Sequence, residues 1–267
     1  MTTSLGVPFS LLSCVKSRNV EKITSTFVKD QYRSGLESYT RLTKELGLWA
    51  SERYVFEKYL RKTDRVLDLG CGTGRTTFPL YRLGYHHLTG VDLTPEMIAI
   101  AKDLNAYFGT DIEFEVGDAA ELRFADARFD AVIFSFNGLM SIPDSGNRNR
   151  AVREIHRVLN SAGCFIFTTH DREAEPQFLD FWREEKLRWE EGSQNPALFE
   201  YGDLITRSKN EEREIYIHIP DQEAVKAMLR ENHFTLVETF YRADKFAESA
   251  AVNAASGACR FWVARKE

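Results

Sequence analysis

The sequence predicts an α/β protein: a doubly wound, mostly parallel seven-stranded sheet with helices on both faces, an N-terminal helical lid and an insertion after strand five. Three observations carry that expectation. From Asp64 onward, short apolar runs alternate with helical stretches, the signature of βα units feeding a parallel sheet. The first run, Arg65 to Leu69, breaks into three closely spaced glycines, Gly70, Gly72 and Gly74, as a strand does when it ends in a turn pressed against a ligand. The run Phe129 to Phe134 is apolar on both faces, as a central parallel strand covered by helices must be.

The elements follow in order. Residues 1–61 form the lid segment, where Leu42, Leu46, Trp49, Phe56 and Leu60 recur at spacings that suit two or three amphipathic helices. Ser51 resembles a helix start, and Tyr32 and Tyr39 are placed to close over the glycine turn. Residues 62–171 form the core. After strand one, a helix runs to about Leu83-Gly84, with Pro79 near its start, where a missing N–H does least harm. Strand two, Leu88 to Val91, ends on Asp92. Thr94 then caps a helix with Pro95 at its first position, Met97, Ile98, Ala101 and Leu104 as its buried stripe, and Gly109 at its end. Ile112 to Val116 alternates as strand three and stops at Gly117-Asp118. Beyond strand four come a helix from about Asn149 to Leu159, a turn at Asn160-Ser161-Ala162-Gly163, and strand five, Cys164 to Thr169.

After His170-Asp171 the alternation stops. Residues 172–215 read as a cap insertion, because Trp182, Trp189 and Phe199 need something to pack on, while the run Arg183-Glu184-Glu185-Lys186 is a solvated helix face. Glu214 to Ile219 alternates like a strand. Residues 216–267 supply a helix capped by Asp221 and closing strands at Phe234 to Phe240 and Arg260 to Ala264, all returning to the same core as one domain.

Composition narrows the functional classes. At 267 residues, 43% hydrophobic and 28% charged, the chain has the length for one large α/β domain with an elaboration. A formal net charge of -5 argues against a surface that coats nucleic acid, because phosphate neutralisation needs clustered Lys and Arg. No apolar run approaches the roughly 18 residues of a membrane span. Cys14, Cys71, Cys164 and Cys259 are scattered, with no C-x-x-C pair and no His at ligand spacing, so no metal is expected and the thiols read as reduced, in the cytoplasm. The apolar stretch Val7 to Val15, with Leu11-Leu12-Ser13-Cys14, faintly resembles an export signal but lacks a basic flank and is interrupted by Pro8 and Ser10. Nothing in the sequence implies an oligomeric state.

The glycine spacing identifies the ligand class. A dinucleotide turn reads G-x-G-x-x-G, whereas here Arg75 takes the last position and Gly74 makes the pattern G-x-G-x-G. Asp68, two residues before the first glycine, repels a pyrophosphate and suits an amino group. Asp92 follows Gly72 by 92 − 72 = 20 residues, the separation at which an acidic side chain reaches a ribose hydroxyl. Asp118 falls on the same edge after strand three. Adenosine joined to an amino acid satisfies all three.

With Asp68-Leu69-Gly70-Cys71-Gly72-Thr73-Gly74, Gly90-Val91-Asp92-Leu93-Thr94-Pro95-Glu96-Met97, Gly117-Asp118-Ala119 and Phe129-Asp130-Ala131-Val132 in place, the chain resembles a class I S-adenosylmethionine-dependent methyltransferase from about Tyr39 to Thr169. Glu154-Ile155-His156-Arg157-Val158-Leu159 followed by Gly163 resembles the family's approach to strand five, although Asn160-Ser161-Ala162-Gly163 replaces a frequent Lys-Pro-Gly-Gly turn. The resemblance implies S-adenosyl-L-methionine as cofactor. Gly70, Cys71, Gly72 and Gly74 would lie along its methionine part, with Asp68 serving the amine directly or indirectly. Asp92 would accept both ribose hydroxyls, Leu93 and Met97 would sandwich the adenine, and Asp118 and the Ala119 N–H would meet the adenine edge. Backbone at Ser135 and Phe136 would face the amine.

After strand four, Phe136-Asn137-Gly138-Leu139 is not the Asn/Asp-Pro-Pro-aromatic motif of enzymes that methylate planar amines, and the expected acceptor is a small, partly apolar molecule. His170, with Asp171 beside it, is the candidate general base and Tyr39 the candidate lid residue at the reacting groups; each also has a plain structural reading. Asn137 and His218 are further pocket candidates. Two other classes share part of the pattern: a non-catalytic regulator that binds the same cofactor, and a nicotinamide oxidoreductase, which the glycine spacing disfavours.

Overall fold

The computed structural model describes residues 21–207 and 214–267. The export-like stretch Val7 to Val15, Cys14 and residues 208–213 of the insertion lie outside the described residues.

Three helices open the described chain, α1 (Ser25–Arg33), α2 (Leu36–Glu45) and α3 (Ala50–Tyr59). The alternating core follows as β1 (Val66–Leu69), α4 (Thr77–Arg82), β2 (Leu88–Asp92), α5 (Pro95–Phe108), β3 (Glu113–Val116), β4 (Phe129–Phe134), α6 (Ser145–Val158) and β5 (Leu159–Thr169). The insertion holds α7 (Leu179–Glu190), β6 (Asp203–Arg207) and β7 (Glu214–His218); the chain closes through α8 (Gln222–Glu231), β8 (Phe234–Tyr241), α9 (Arg242–Lys245), α10 (Ala250–Ala255) and β9 (Arg260–Lys266). Local chemistry sets several of these boundaries. Thr24 Oγ1 accepts from Phe27 N at 3.3 Å to start α1, and Asp221 Oδ1 accepts from Ala224 N at 2.8 Å to start α8. Pro95 opens α5, and Gly109 ends it with φ 65.

The main sheet has seven strands in the order β3-β2-β1-β4-β5-β9-β8. β1 to β5 are parallel, and β9 runs antiparallel between β5 and β8. Strand order reverses between β1 and β4, and the crevice beyond their carboxyl ends is where such sheets take ligands. Alternation along the central strands feeds two cores. Val66, Ala131, Ile133, Cys164 and Ile166 pack with α3, α4 and α5, whereas Leu67, Leu69, Val132, Phe165 and Phe167 pack with α6 and α8.

A third, smaller core lies outside the sheet. Ile23 and Val28 of the N-terminal segment are buried against Ala197, Leu198 and Tyr216 of the insertion. Ile23 N donates to Ala197 O at 3.1 Å, and Gln31 Oε1 accepts from Tyr216 N at 2.9 Å. The stretch expected as a strand at Glu214 to Ile219 forms, but it pairs with β6 as a separate antiparallel hairpin. The insertion thus runs on through His218, and the boundary expected at residue 215 falls inside β7. Its buried face, Tyr216 and His218, is satisfied by the cap and not by the sheet. Among the described residues no helix is long and apolar enough to cross a membrane.

Candidate cofactor and acceptor site

The turn after β1 is held by its neighbours on β2. Cys71 N donates to Val91 O at 3.0 Å, and Gly72 N donates to Asp92 Oδ2 at 2.9 Å. Asp92 Oδ1 accepts from Thr94 N at 2.8 Å, so one carboxylate joins the glycine turn to the start of α5. Burial pushes the Asp92 carboxyl up from its ordinary value, against these two backbone hydrogen bonds. Gly72 has φ +56, and a Cβ built on it would meet nothing within 4 Å, because the position faces the cavity. Gly74 has φ +93 and a different reason to lack a side chain: a Cβ there would lie 2.5 Å from the Phe78 ring.

The adjoining cavity measures about 480 Å³, a size ordinary for a ligand site. Of the residues expected at the cofactor, Gly70, Cys71, Gly72, Asp92, Leu93, Met97, Asp118, Ala119, Ser135 and Phe136 all line it, and Tyr39 covers them from α2. Asp118 Oδ1 accepts from Ala120 N at 2.8 Å, which orients the carboxylate on the rim. Beyond this wall the same cavity continues between Ile23, Val28 and Tyr32 of the lid, Ser141, Ile142 and Pro143 after β4, and Phe199 of the insertion. Tyr32 Oη and Ser141 Oγ are 2.7 Å apart, and Arg33 Nε is 2.9 Å from Glu96 Oε1, so α1 bridges the opening on two sides.

Five expected residues lie outside that lining. Asp68 is buried behind the turn, where Oδ2 accepts from Thr77 Oγ1 at 2.6 Å, leaving it an indirect part in the site. Gly74 serves packing against Phe78 and makes no wall of the cavity. His170, the expected general base, is engaged by other groups and stands off the cavity. Nδ1 is 3.1 Å from the Ala258 carbonyl, an acceptor only, and therefore carries the proton; Nε2, 3.1 Å from Asn137 Nδ2, accepts. Both nitrogens are used, burial lowers its pKa, and the ring does not line the cavity. Asp171 does not support it either, being paired with Arg260 Nε at 2.9 Å. Asn137 and His218 are likewise absent from the lining.

His218 belongs instead to a buried cluster with Asp203 and Glu200, whose ligating atoms lie within 4.8 Å of one another. The acceptors there are taken by protein donors. Asp203 Oδ1 accepts from Tyr216 Oη and His218 Nδ1, both at 2.9 Å, Oδ2 accepts from Phe199 N at 2.8 Å, and Glu200 pairs with Arg148. The cluster ties the hairpin to the approach from α7.

One pair at the site carries no obvious sequence signal. Arg75, next to the last glycine, is buried and donates to both carboxylate oxygens of fully buried Glu52, at 2.6 and 2.8 Å, and to Gly47 O at 2.9 Å. Its guanidinium carbon stands 4.7 Å from the Trp49 ring and 5.3 Å from the Phe136 ring. That cation is consumed by the lid segment and leaves the turn without charge for a phosphate. The wall is accordingly rich in acceptors, Asp92 and Asp118 above all, and complements a ligand that presents hydroxyls, amino groups and a positive centre.

Comparison with known proteins agrees with this geometry. Residues 66–163 match the family model described as a methyltransferase domain. An uncharacterised protein of Methanocaldococcus jannaschii is 35% identical over 141 residues, 53% of this chain and 51% of that protein. The demethylmenaquinone methyltransferase of Staphylococcus aureus is 27% identical over 194 residues, 68% of this chain and 73% of that protein. A solved S-adenosylmethionine-dependent methyltransferase of Methanosarcina mazei superposes with a TM-score of 0.66 at 23% identity, covering 83% of this chain and 99% of that one. The chain spans about half or less of the length of several curated relatives it matches. The fold is that of the class I methyltransferases, and residues 66–163 match a methyltransferase domain.

Two measurements check the site's construction. Gly74→Ala must displace Phe78 and hold a strained backbone, so it should cost ~2–4 kcal/mol and lower Tm by ~5–10 °C; an unchanged Tm would contradict the packing described. Burial pushes the Asp68 carboxyl up to about 7. Since the folded pKa is raised above the unfolded one, the folded state holds the extra proton between about pH 4 and 7. Stability should therefore fall as pH rises through that window, by at most ~1.4 kcal/mol per pH unit from this group. Denaturant titrations of Asp68→Asn should show a flatter slope there than the parent; identical slopes would count against the shift.

Proposed function

We propose that the chain transfers a methyl group from S-adenosyl-L-methionine to a small, partly apolar molecule held beneath the lid. One observation carries the reading: a single cavity joins the acceptor-rich wall of Gly72, Asp92 and Asp118 to an apolar compartment roofed by α1 and Phe199. In this reading Asp92 takes the ribose hydroxyls, Leu93 and Met97 hold the adenine ring, and Asp118 with the Ala119 N–H meets its edge. Gly70, Cys71 and Gly72 run along the methionine part, facing Ser135 and Phe136. Burial raises the Cys71 thiol well above its ordinary pKa, so it stays protonated and does not compete as a nucleophile.

When bound, S-adenosyl-L-methionine would supply an electrophilic methyl on sulfonium sulfur, with the neutral thioether as its leaving group. The protein's part is alignment and exclusion of water. Tyr39, whose ring centre is 6.4 Å from that of Phe136 in an edge-on contact, closes the compartment over the reacting groups. Tyr32 and Ser141 fix the depth to which the lid descends.

Incubation of the full chain with S-adenosyl-L-methionine and a panel of small cyclic acceptors should yield S-adenosylhomocysteine above the acceptor-free rate. Cofactor binding with no turnover across the panel would favour a regulator that only senses the cofactor. Asp92→Ala should weaken S-adenosylhomocysteine binding at least ~tenfold, about 1.4 kcal/mol, in calorimetry. An unchanged dissociation constant would remove the ribose assignment.

A further inference from the structure

The compartment proposed for the acceptor has a charged mouth. Arg150, on the second turn of α6, lines the cavity and is exposed, and among the described residues it has no ion-pair or hydrogen-bond partner. The other guanidinium in the lining, Arg75, is neutralised by Glu52. Of the acids near it in sequence, Glu154, one turn on, is paired with Arg157, and Asp144 also lines the cavity but its Oδ1 accepts from Gly146 N at 2.9 Å and caps α6 itself. Asp92 and Asp118 stand on the cofactor wall and are already oriented by backbone N–H groups. The lining on the side of Arg150 includes the apolar Ile142, Pro143 and Phe199 together with the polar Ser141 and Asn147.

We propose, resting on the methyl-transfer reading above, that the acceptor is an organic carboxylate. Its apolar body packs on Ile142, Pro143 and Phe199, and its carboxylate is held by Arg150 at the mouth, which directs the nucleophilic atom towards the buried end beside the cofactor. The chemistry follows from the guanidinium. It presents paired N–H donors in a plane and takes a carboxylate through two parallel bonds. A neutral amide of the same shape offers one oxygen and turns an NH₂ towards the cation, so a site of this kind discriminates an acid from its amide by charge and by hydrogen-bond polarity together. S-adenosyl-L-methionine brings a carboxylate of its own, and the test must separate the two.

The full chain saturated with S-adenosylhomocysteine is titrated calorimetrically with 4-hydroxybenzoate, salicylate and indole-3-acetate, each beside its primary amide. At least one acid should bind tenfold or more tightly than its amide. Arg150→Ala should erase that preference, Arg150→Lys should retain part of it, and S-adenosylhomocysteine affinity should stay within twofold of the parent in both. Amides binding as well as acids, or no acid binding to the loaded chain, overturns the inference. So does a tenfold loss of S-adenosylhomocysteine affinity in Arg150→Ala, which would assign the guanidinium to the cofactor. Failure of the parent chain to bind S-adenosylhomocysteine at all is a different result, and it removes the methyl-transfer reading itself.

Discussion

The bidentate pair of Glu52 and Arg75 is the interaction on which the arrangement of this site turns. Burying either charge alone would cost several kcal/mol, and each is tolerable only because the other is there with good geometry. The pair does more than cancel charge. Glu52 Oε2 also accepts from Trp49 N at 3.0 Å, and Arg75 reaches Gly47 O, so the start of α3 and the loop before it are fixed to the residue that follows the glycine turn. Thr43 and Thr73, with their hydroxyl oxygens 2.6 Å apart, repeat the link one helix earlier. The N-terminal helices are therefore tied to the glycine turn, and their position is set by it.

That coupling has an electrostatic side. An arginine beside a glycine turn would ordinarily suit a phosphate, yet here its guanidinium is taken up by a carboxylate and two aromatic rings. What remains towards the cavity is a set of acceptors held by backbone N–H groups. What such a turn can offer a phosphate depends on where one guanidinium spends its hydrogen bonds, as much as on the spacing of three glycines.

The sheet and the cavity wall beside the glycine turn were legible because they depend on local signals. Alternating apolar runs, Pro95 at a helix start and acids at strand ends are each set within a few residues, and the parallel order follows from short βα connections. Asp68 and His170 show the limit of such reading. Both sit at strand ends on the ligand edge, where type and position alone suggest contact, but the side chain of Asp68 turns back to Thr77 and that of His170 to Asn137 and Ala258. Direction is set by partners 9, 33 and 88 residues away in sequence, which no local pattern contains. The same holds for Glu52 and Arg75, separated by 23 residues, and for β7, whose alternation declares a strand without declaring its partner.

The small core shared by α1 and the insertion has a consequence for how the protein comes into being. Lys22 donates to Leu198 O across 176 residues of chain, and Ile23, Val28 and Tyr216 close around the same spot. During synthesis the first helix leaves the ribosome long before the segment that will hold it, so the roof of the cavity is the late event in folding, after loop closure on that scale. A contact so non-local, and resting on few buried side chains, is also among those that open first in the finished protein. The smallest of the three buried cores is thus the one that closes the cavity.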